Sequence, residues 1–310
     1  MKYLVTGATG FVGACLARRL VELEHEVHLF TRRDSNRWRI KSLVGKVTDH
    51  EVDLRDAAAV ESCVADIRPT VIYHLATYGG FTDQRDSSAI IAANFLGTVH
   101  LLRACERVGF DCFVNTGSSS EYGLKSAPME EGDILEPVGD YGVSKAAATM
   151  FCRSEALQKG VPVVTLRLFS PYGPWDDPKR FVPYVIKSLL TGESPRVSTP
   201  DSVRDYVYID DVVDLYLRVG TLPPLSGEIV NVGSGVQSTL GQVASEVERL
   251  VGSGVASSWG AVPNRRSEPR SWVADIAKAR MLLGWEPVTP LEMGLRRTVA
   301  WMRQHLELYR

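Results

Sequence analysis

Apolar and polar positions follow two alternating periods through the first half of the chain, so the elements can be predicted one by one. Short aliphatic and β-branched runs at 2–6, 26–31, 46–52, 70–75, 111–116 and 162–169 read as strands. Between them, the segments at 11–22, 55–65, 86–108 and 141–158 carry apolar residues at helical spacing. Strands that are apolar on both faces suit a parallel sheet covered by helices on each side, since a half-exposed sheet shows polar residues at every second position. This order of elements predicts a doubly wound α/β domain.

After residue 169 the texture changes. Ser170-Pro171-Tyr172-Gly173-Pro174-Trp175 is rich in turn formers, and Pro and Gly recur as far as Pro200. The segments 204–219 and 228–233 read as a return to the sheet, and 236–310 as mainly helical with Gly-, Ser- and Pro-rich loops at 252–271. The expected organisation is a sheet domain of residues 1–169 plus 204–235 and a smaller, mainly helical lobe of 170–203 plus 236–310.

Composition mostly excludes. The 310 residues are 45% hydrophobic and 23% charged, as in an ordinary globular protein. A net charge of −2 gives no reason to expect nucleic acid or an anionic membrane surface as the main partner. Five cysteines without CxxC spacing read as reduced core thiols, which points to the cytoplasm. The first strand begins at Lys2, leaving no room for a signal peptide ahead of it, and no apolar run approaches the roughly 18 residues of a membrane span. His25 and His28 form the one close histidine pair, with no ligand set around it, so no metal site is expected.

Chemistry enters with Thr6-Gly7-Ala8-Thr9-Gly10-Phe11-Val12-Gly13, which leaves the first strand and opens the first helix. Gly7 permits a tight turn, Gly10 lets the backbone approach a pyrophosphate, and Gly13 allows close helix packing. The helix N-terminus at Phe11 and Val12 then offers N–H groups to the anion. The second strand ends Phe30-Thr31-Arg32-Arg33, without the carboxylate that usually binds the ribose 2′-hydroxyl of NAD. Two guanidiniums suit a 2′-phosphate, so NADP(H) is favoured, with NAD(H) also possible. Farther on, Tyr141 and Lys145 lie four residues apart on one helix face, ahead of which Asn115 to Gly123 holds the run Ser118-Ser119-Ser120 at a strand end. A phenol beside an ammonium and an oxidised nicotinamide is biased towards phenolate, and so towards taking a proton from a substrate hydroxyl.

With these motifs in place, the chain resembles the extended short-chain dehydrogenases/reductases of the NAD-dependent epimerase/dehydratase type, which modify nucleotide sugars. The resemblance also rests on His74-Leu75-Ala76, Leu168-Phe169-Ser170-Pro171-Tyr172-Gly173-Pro174, Arg204-Asp205-Tyr206 and Leu283-Gly284-Trp285-Glu286-Pro287. It implies a catalytic set of Ser118, Tyr141 and Lys145. Cofactor contacts are implied at Asp53-Leu54, where Asp53 holds the adenine or else caps a helix, and at Leu75-Ala76-Thr77. Ser118, Ser119 and Ser120 would bind the substrate at the sugar, and Ser170 on its phosphate side. Arg204 and one of Arg265 and Arg266 would take the diphosphate. Ser170 departs from the Asn found in many relatives.

The same resemblance narrows the reaction. Ser119 and Ser120 stand where the dehydratases carry Asp-Glu, which disfavours dehydration and decarboxylation and leaves hydride exchange, expected at C4. An NADPH-dependent 4-keto-sugar reductase similar to the CDP-abequose and CDP-paratose synthases is slightly favoured over a 4-epimerase similar to the UDP-glucose and UDP-glucuronate enzymes. A non-catalytic nucleotide-binding protein is the distant alternative. Helices 86–108 and 141–158 correspond to those that relatives use for a homodimer.

Overall fold

The computed structural model describes residues 1–263 and 269–309. In chain order the first elements are β1 (Lys2–Thr6), α1 (Phe11–Glu22), β2 (Glu26–Thr31), β3 (Thr48–Glu51), α2 (Ala57–Ile67) and β4 (Val71–His74). There follow α3 (Ser87–Ile91), α4 (Gly97–Val108), β5 (Cys112–Ser118), α5 (Gly139–Lys159) and β6 (Val163–Leu168). The rest comprises β7 (Ser170–Tyr172), α6 (Phe181–Leu190), β8 (Val203–Tyr208), α7 (Ile209–Val219) and β9 (Ile229–Val232). It ends with β10 (Gln237–Thr239), α8 (Leu240–Val251), α9 (Ala277–Leu283) and α10 (Leu291–Gln304).

The chain divides into two compact units. The first takes Met1–Gly123, Glu131–Leu168 and Val213–Asn231. Its seven-stranded sheet has the order β3-β2-β1-β4-β5-β6-β9, and the registered pairs from β3 to β6 are all parallel. The order reverses between β1 and β4, so Thr6, His74 and Ser118 end neighbouring strands at the switch point, where open α/β sheets bind ligands. On one face, Leu4, Ile72, Phe113 and Val163 meet Val60, Val64 and Ile67 of α2 and Leu101, Leu102 and Cys105 of α4. Burying each large side chain stabilises the unit by about 1.5–3 kcal/mol, which ties the strand ends to a rigid platform.

The stretch expected as one helix over 86–108 is interrupted. A π-helical turn at Ala92–Leu96 separates α3 from α4 and carries the buried Asn94. Ser87–Val108 is long and apolar enough to cross a bilayer by length and composition. Its apolar residues Leu101, Leu102 and Cys105 nevertheless face the core of the sheet, which accounts for the pattern by packing.

The second unit takes Leu124–Glu130, Phe169–Val212 and Val232–Arg310. It holds a three-stranded sheet ordered β10-β8-β7, in which β7 and β8 are parallel and β10 and β8 antiparallel. The expected return to the main sheet at residue 204 is thereby corrected, because β8 joins this small sheet and β9 closes the large one. Asp205 explains the placement: its buried carboxylate accepts N–H bonds from Ser234 (2.6 Å), Gly235 (3.0 Å) and Ala274 (3.0 Å), gathering two segments of the unit around β8. Helices α6, α8 and α10 pack on one another beside it.

Candidate active site

β1 ends at Thr6, and the chain turns through Gly7, whose φ of +71° favours glycine. A Cβ on Gly7 would stand 2.5 Å from Ala76 N and 2.6 Å from Leu75 O, and one on Gly13 would overlap Gly7 O. The turn, the first turn of α1 and the end of β4 thus touch backbone to backbone. Gly10 caps α1 without a side-chain hydrogen bond, so no side chain competes there for the N–H groups around Phe11 and Val12. This is a cradle of the shape and polarity that a dinucleotide pyrophosphate fits.

His74 holds the cradle together. Thr98 donates to Asn94 O at 2.7 Å, so its oxygen accepts from His74 Nε2 at 2.8 Å, and His74 Nδ1 accepts from the Thr6 hydroxyl at 2.7 Å. Thr6 in turn accepts the Ala76 N–H at 3.2 Å. Burial, with the Lys145 charge adding to it, pushes the His74 imidazole down to about 3. Asn94 continues the chain of contacts. Its Oδ1 accepts from Tyr78 N (2.8 Å) and Thr77 Oγ1 (3.3 Å), and its Nδ2 donates to Ser144 Oγ (2.9 Å) on α5. Neither residue was assigned a role from the sequence, although an Asn inside an apolar helical run is a visible anomaly.

β2 ends at Thr31 with no carboxylate of its own, and one on β3 reaches it. Thr31 is buried, and its hydroxyl donates to Asp49 Oδ1 on β3 at 2.7 Å. Asp49 Oδ2 is paired with Arg37 at 2.9 Å. The neighbouring strand thus sets a carboxylate–guanidinium pair against Thr31, a contact that depends on the β2–β3 pairing. Arg32 stands 3.4 Å from Asp34, and Arg33 is exposed. Asp53 is held by Arg55 through three nitrogens, and those hydrogen bonds keep its carboxyl below the usual range. It does not cap α2, because Asp56 does so by accepting from Ala58 and Ala59. Leu54 beside it is buried, as is Leu75, whereas Thr77 is exposed.

β5 ends at Ser118, which caps the short turn Ser119–Glu121. Ser118 Oγ accepts from Ser120 N at 3.1 Å, leaving the hydroxyl hydrogen to be donated elsewhere. Its own N–H donates to Glu121 Oε1 at 2.8 Å. Gly142, between Tyr141 and Lys145, packs so closely that a Cβ there would stand 2.7 Å from Ser120 O. The first turn of α5 is thus seated directly on the serine run. Tyr141 is half-buried and Lys145 only 3% exposed, with no ion pair to Lys145 among the described residues. A buried ammonium lacking a carboxylate is unusual in a merely structural role.

Beneath Ser118 lies a pair that sequence reasoning passed over. Glu121 Oε2 meets Arg167 Nε at 2.8 Å, and both side chains are fully buried. Glu121 Oε1 also accepts from Thr149 Oγ1 of α5 at 3.0 Å. Arg167 donates to the Tyr122 hydroxyl at 3.0 Å, and that hydroxyl donates to Asn231 Oδ1 at 2.7 Å. Burial pushes the Glu121 carboxyl up against the opposing pull of Arg167. The available signal was an arginine within Val163–Leu168, an otherwise apolar strand.

In the second unit, Ser170 is half-buried on β7 in register with Tyr206. Arg204 on β8 places its guanidinium 5.6 Å from the Trp272 ring centre and donates to Val203 O at 2.6 Å. Arg265 and Arg266 lie outside the described residues.

Residues 3–233 match the profile described as the NAD dependent epimerase/dehydratase family. The chain belongs to that family. It is an enzyme of the extended short-chain dehydrogenase type. A UDP-glucose 4-epimerase of Mycolicibacterium smegmatis is 30% identical to it, over 98% of this chain and 99% of the relative. Among solved structures it resembles a UDP-glucose 4-epimerase of Thermotoga maritima with UDP-glucose, at a TM-score of 0.91 and 27% identity, covering 99% of this chain and 100% of that one. A UDP-glucuronic acid 4-epimerase of Bacillus cereus in complex with UDP-glucuronic acid and NAD is also similar. Its TM-score is 0.88 at 27% identity, with 98% of this chain and 100% of that one covered.

Proposed function

We propose that this family member is a nucleotide-sugar 4-epimerase acting on a UDP-hexose or UDP-hexuronate, with NAD as its resident cofactor. The first unit holds the dinucleotide, and the second, through Arg204 and Ser170, receives the nucleotide sugar. The observation that carries the reading is the seating of the Tyr141–Lys145 helix on the serine run that ends β5, beside the glycine cradle. Bound NAD supplies the acceptor and donor of hydride at C4. Tyr141 takes the proton from O4 and returns it. Ser118, its oxygen already engaged by Ser120 N–H, donates its hydrogen to O4 and fixes the sugar. Lys145, buried four residues on in the same helix, orients the cofactor ribose.

The reductase reading leaned on Arg32 and Arg33 as a 2′-phosphate site. Arg32 lies beside Asp34 and Arg37 is paired with Asp49, so neither guanidinium is an uncommitted partner for a 2′-phosphate. Resemblance to 4-epimerases over nearly the whole chain favours the alternative. The protein acts as a homodimer in this reading, since Ile91 and Leu96 before and within the π turn, and Val143 and Met150 on α5, are exposed apolar side chains. The test is to incubate purified protein with UDP-glucose, and separately UDP-glucuronate, without added cofactor and to separate the C4 epimers. Epimer formation supports the proposal. Stoichiometric consumption of NADPH by a 4-keto-sugar nucleotide, with no epimerisation, overturns it.

A further inference from the structure

The buried pair under the serine run lies outside the groups that touch substrate or cofactor. Its cost is substantial, because two ions removed from water need excellent geometry to break even, and apolar residues of similar volume commonly serve stability as well. The pair must then be explained by something other than stability. Its contacts converge on the site: Glu121 Oε1 takes the Ser118 N–H at 2.8 Å and the Thr149 hydroxyl at 3.0 Å, while Oε2 takes Arg167 Nε at 2.8 Å. Thr149 lies one helical turn beyond Lys145, so one carboxylate touches both β5 and the helix of Tyr141 and Lys145. Gly117 is required for this approach, since a Cβ there would stand 2.7 Å from Glu121 Oε1 and 2.9 Å from Arg167 Cγ.

We infer that Glu121, oriented by Arg167, is a positioning residue that sets the backbone of Ser118 and thereby aims its hydroxyl at the reacting oxygen; this rests on the reading of Ser118 given above. Arg167 fixes the carboxylate through Nε, and its NH1 is spent on the Tyr122 hydroxyl, so the fork has one orientation. The Ser118 N–H and the Ser120 N–H then fix the serine from two sides, leaving its hydrogen as the one free element.

The test replaces the pair together, Glu121→Leu with Arg167→Met, so that no buried charge is left alone. Cofactor affinity and KM for the UDP-sugar should stay within about threefold while kcat falls by about tenfold to a hundredfold, as expected when a reacting group is displaced rather than removed. In a Ser118→Ala background the same replacement should lower kcat no further, because the two changes act through one group. Multiplicative losses in that background, or a kcat near wild type in the double variant, overturn the inference. Should the double variant fail to fold, Arg167→Lys keeps the charge but loses the Nε contact, and it should show the same kcat-selective loss, with an unchanged kcat refuting it. If the wild type converts no UDP-sugar, the reaction reading fails on its own. The inference is then decided by amide exchange, which should be about tenfold faster at Ser118 in Arg167→Lys than in wild type, with unchanged protection overturning it.

Discussion

Lowering the pH from 7.5 to 5 protonates an ordinary imidazole, and His74 should resist that in the folded protein. Its Nε2 proton is committed to Thr98, and Nδ1 accepts from Thr6, so a second proton would set two donors against each other. Burial, then the Lys145 charge, depresses its titration from 6.5 to about 3. A depressed histidine leaves stability intact above 6.5 and removes it as the pH falls towards 3, because the unfolded chain then binds a proton that the folded chain refuses. At pH 5 the loss from this one group is about 2 kcal/mol, at roughly 1.36 kcal/mol per unit below the unfolded value. His74→Asn keeps an acceptor for Thr6 but loses the donor to Thr98, and should cost about 1–3 kcal/mol at pH 7.5. Denaturant unfolding of both proteins across the range should show that gap shrinking by about 2 kcal/mol by pH 5, since the carboxylates common to both cancel. Parallel stability curves, or a His74 ring resonance that titrates near 6.5 in the folded protein, would refute the reasoning.

Other predictions concern the site. Tyr141→Phe should lower turnover by about a hundredfold or more with cofactor affinity unchanged, as single-turnover kinetics and calorimetry would report. Asp49→Asn should release Arg37 from its ion pair and shift the ratio of NAD to NADP affinity towards NADP by roughly tenfold, measured by cofactor titration; an unchanged ratio would remove Asp49 from cofactor choice. Arg204→Ala should weaken UDP-sugar binding by about 1.5–3 kcal/mol while leaving NAD binding alone, which calorimetry separates.

Local chemistry determined much of this protein. Hydrophobic period alone placed β1, α1 and β2 at their observed bounds, because short parallel strands and amphipathic helices bury faces that their own residues define. The glycine turn and the Tyr141–Lys145 spacing were legible for the same reason: each is a constraint within a few consecutive residues. What needed the tertiary structure is whatever depends on pairing across the chain. Asp49 reaches Thr31 because β3 pairs with β2, and β8 leaves the large sheet because Asp205 finds donors at Ser234 and Ala274. Glu121 meets Arg167 across 46 residues of sequence. A charge in an apolar strand calls for a partner, since burying an ion unpaired is costly, but only the packed sheet decides which residue that partner is.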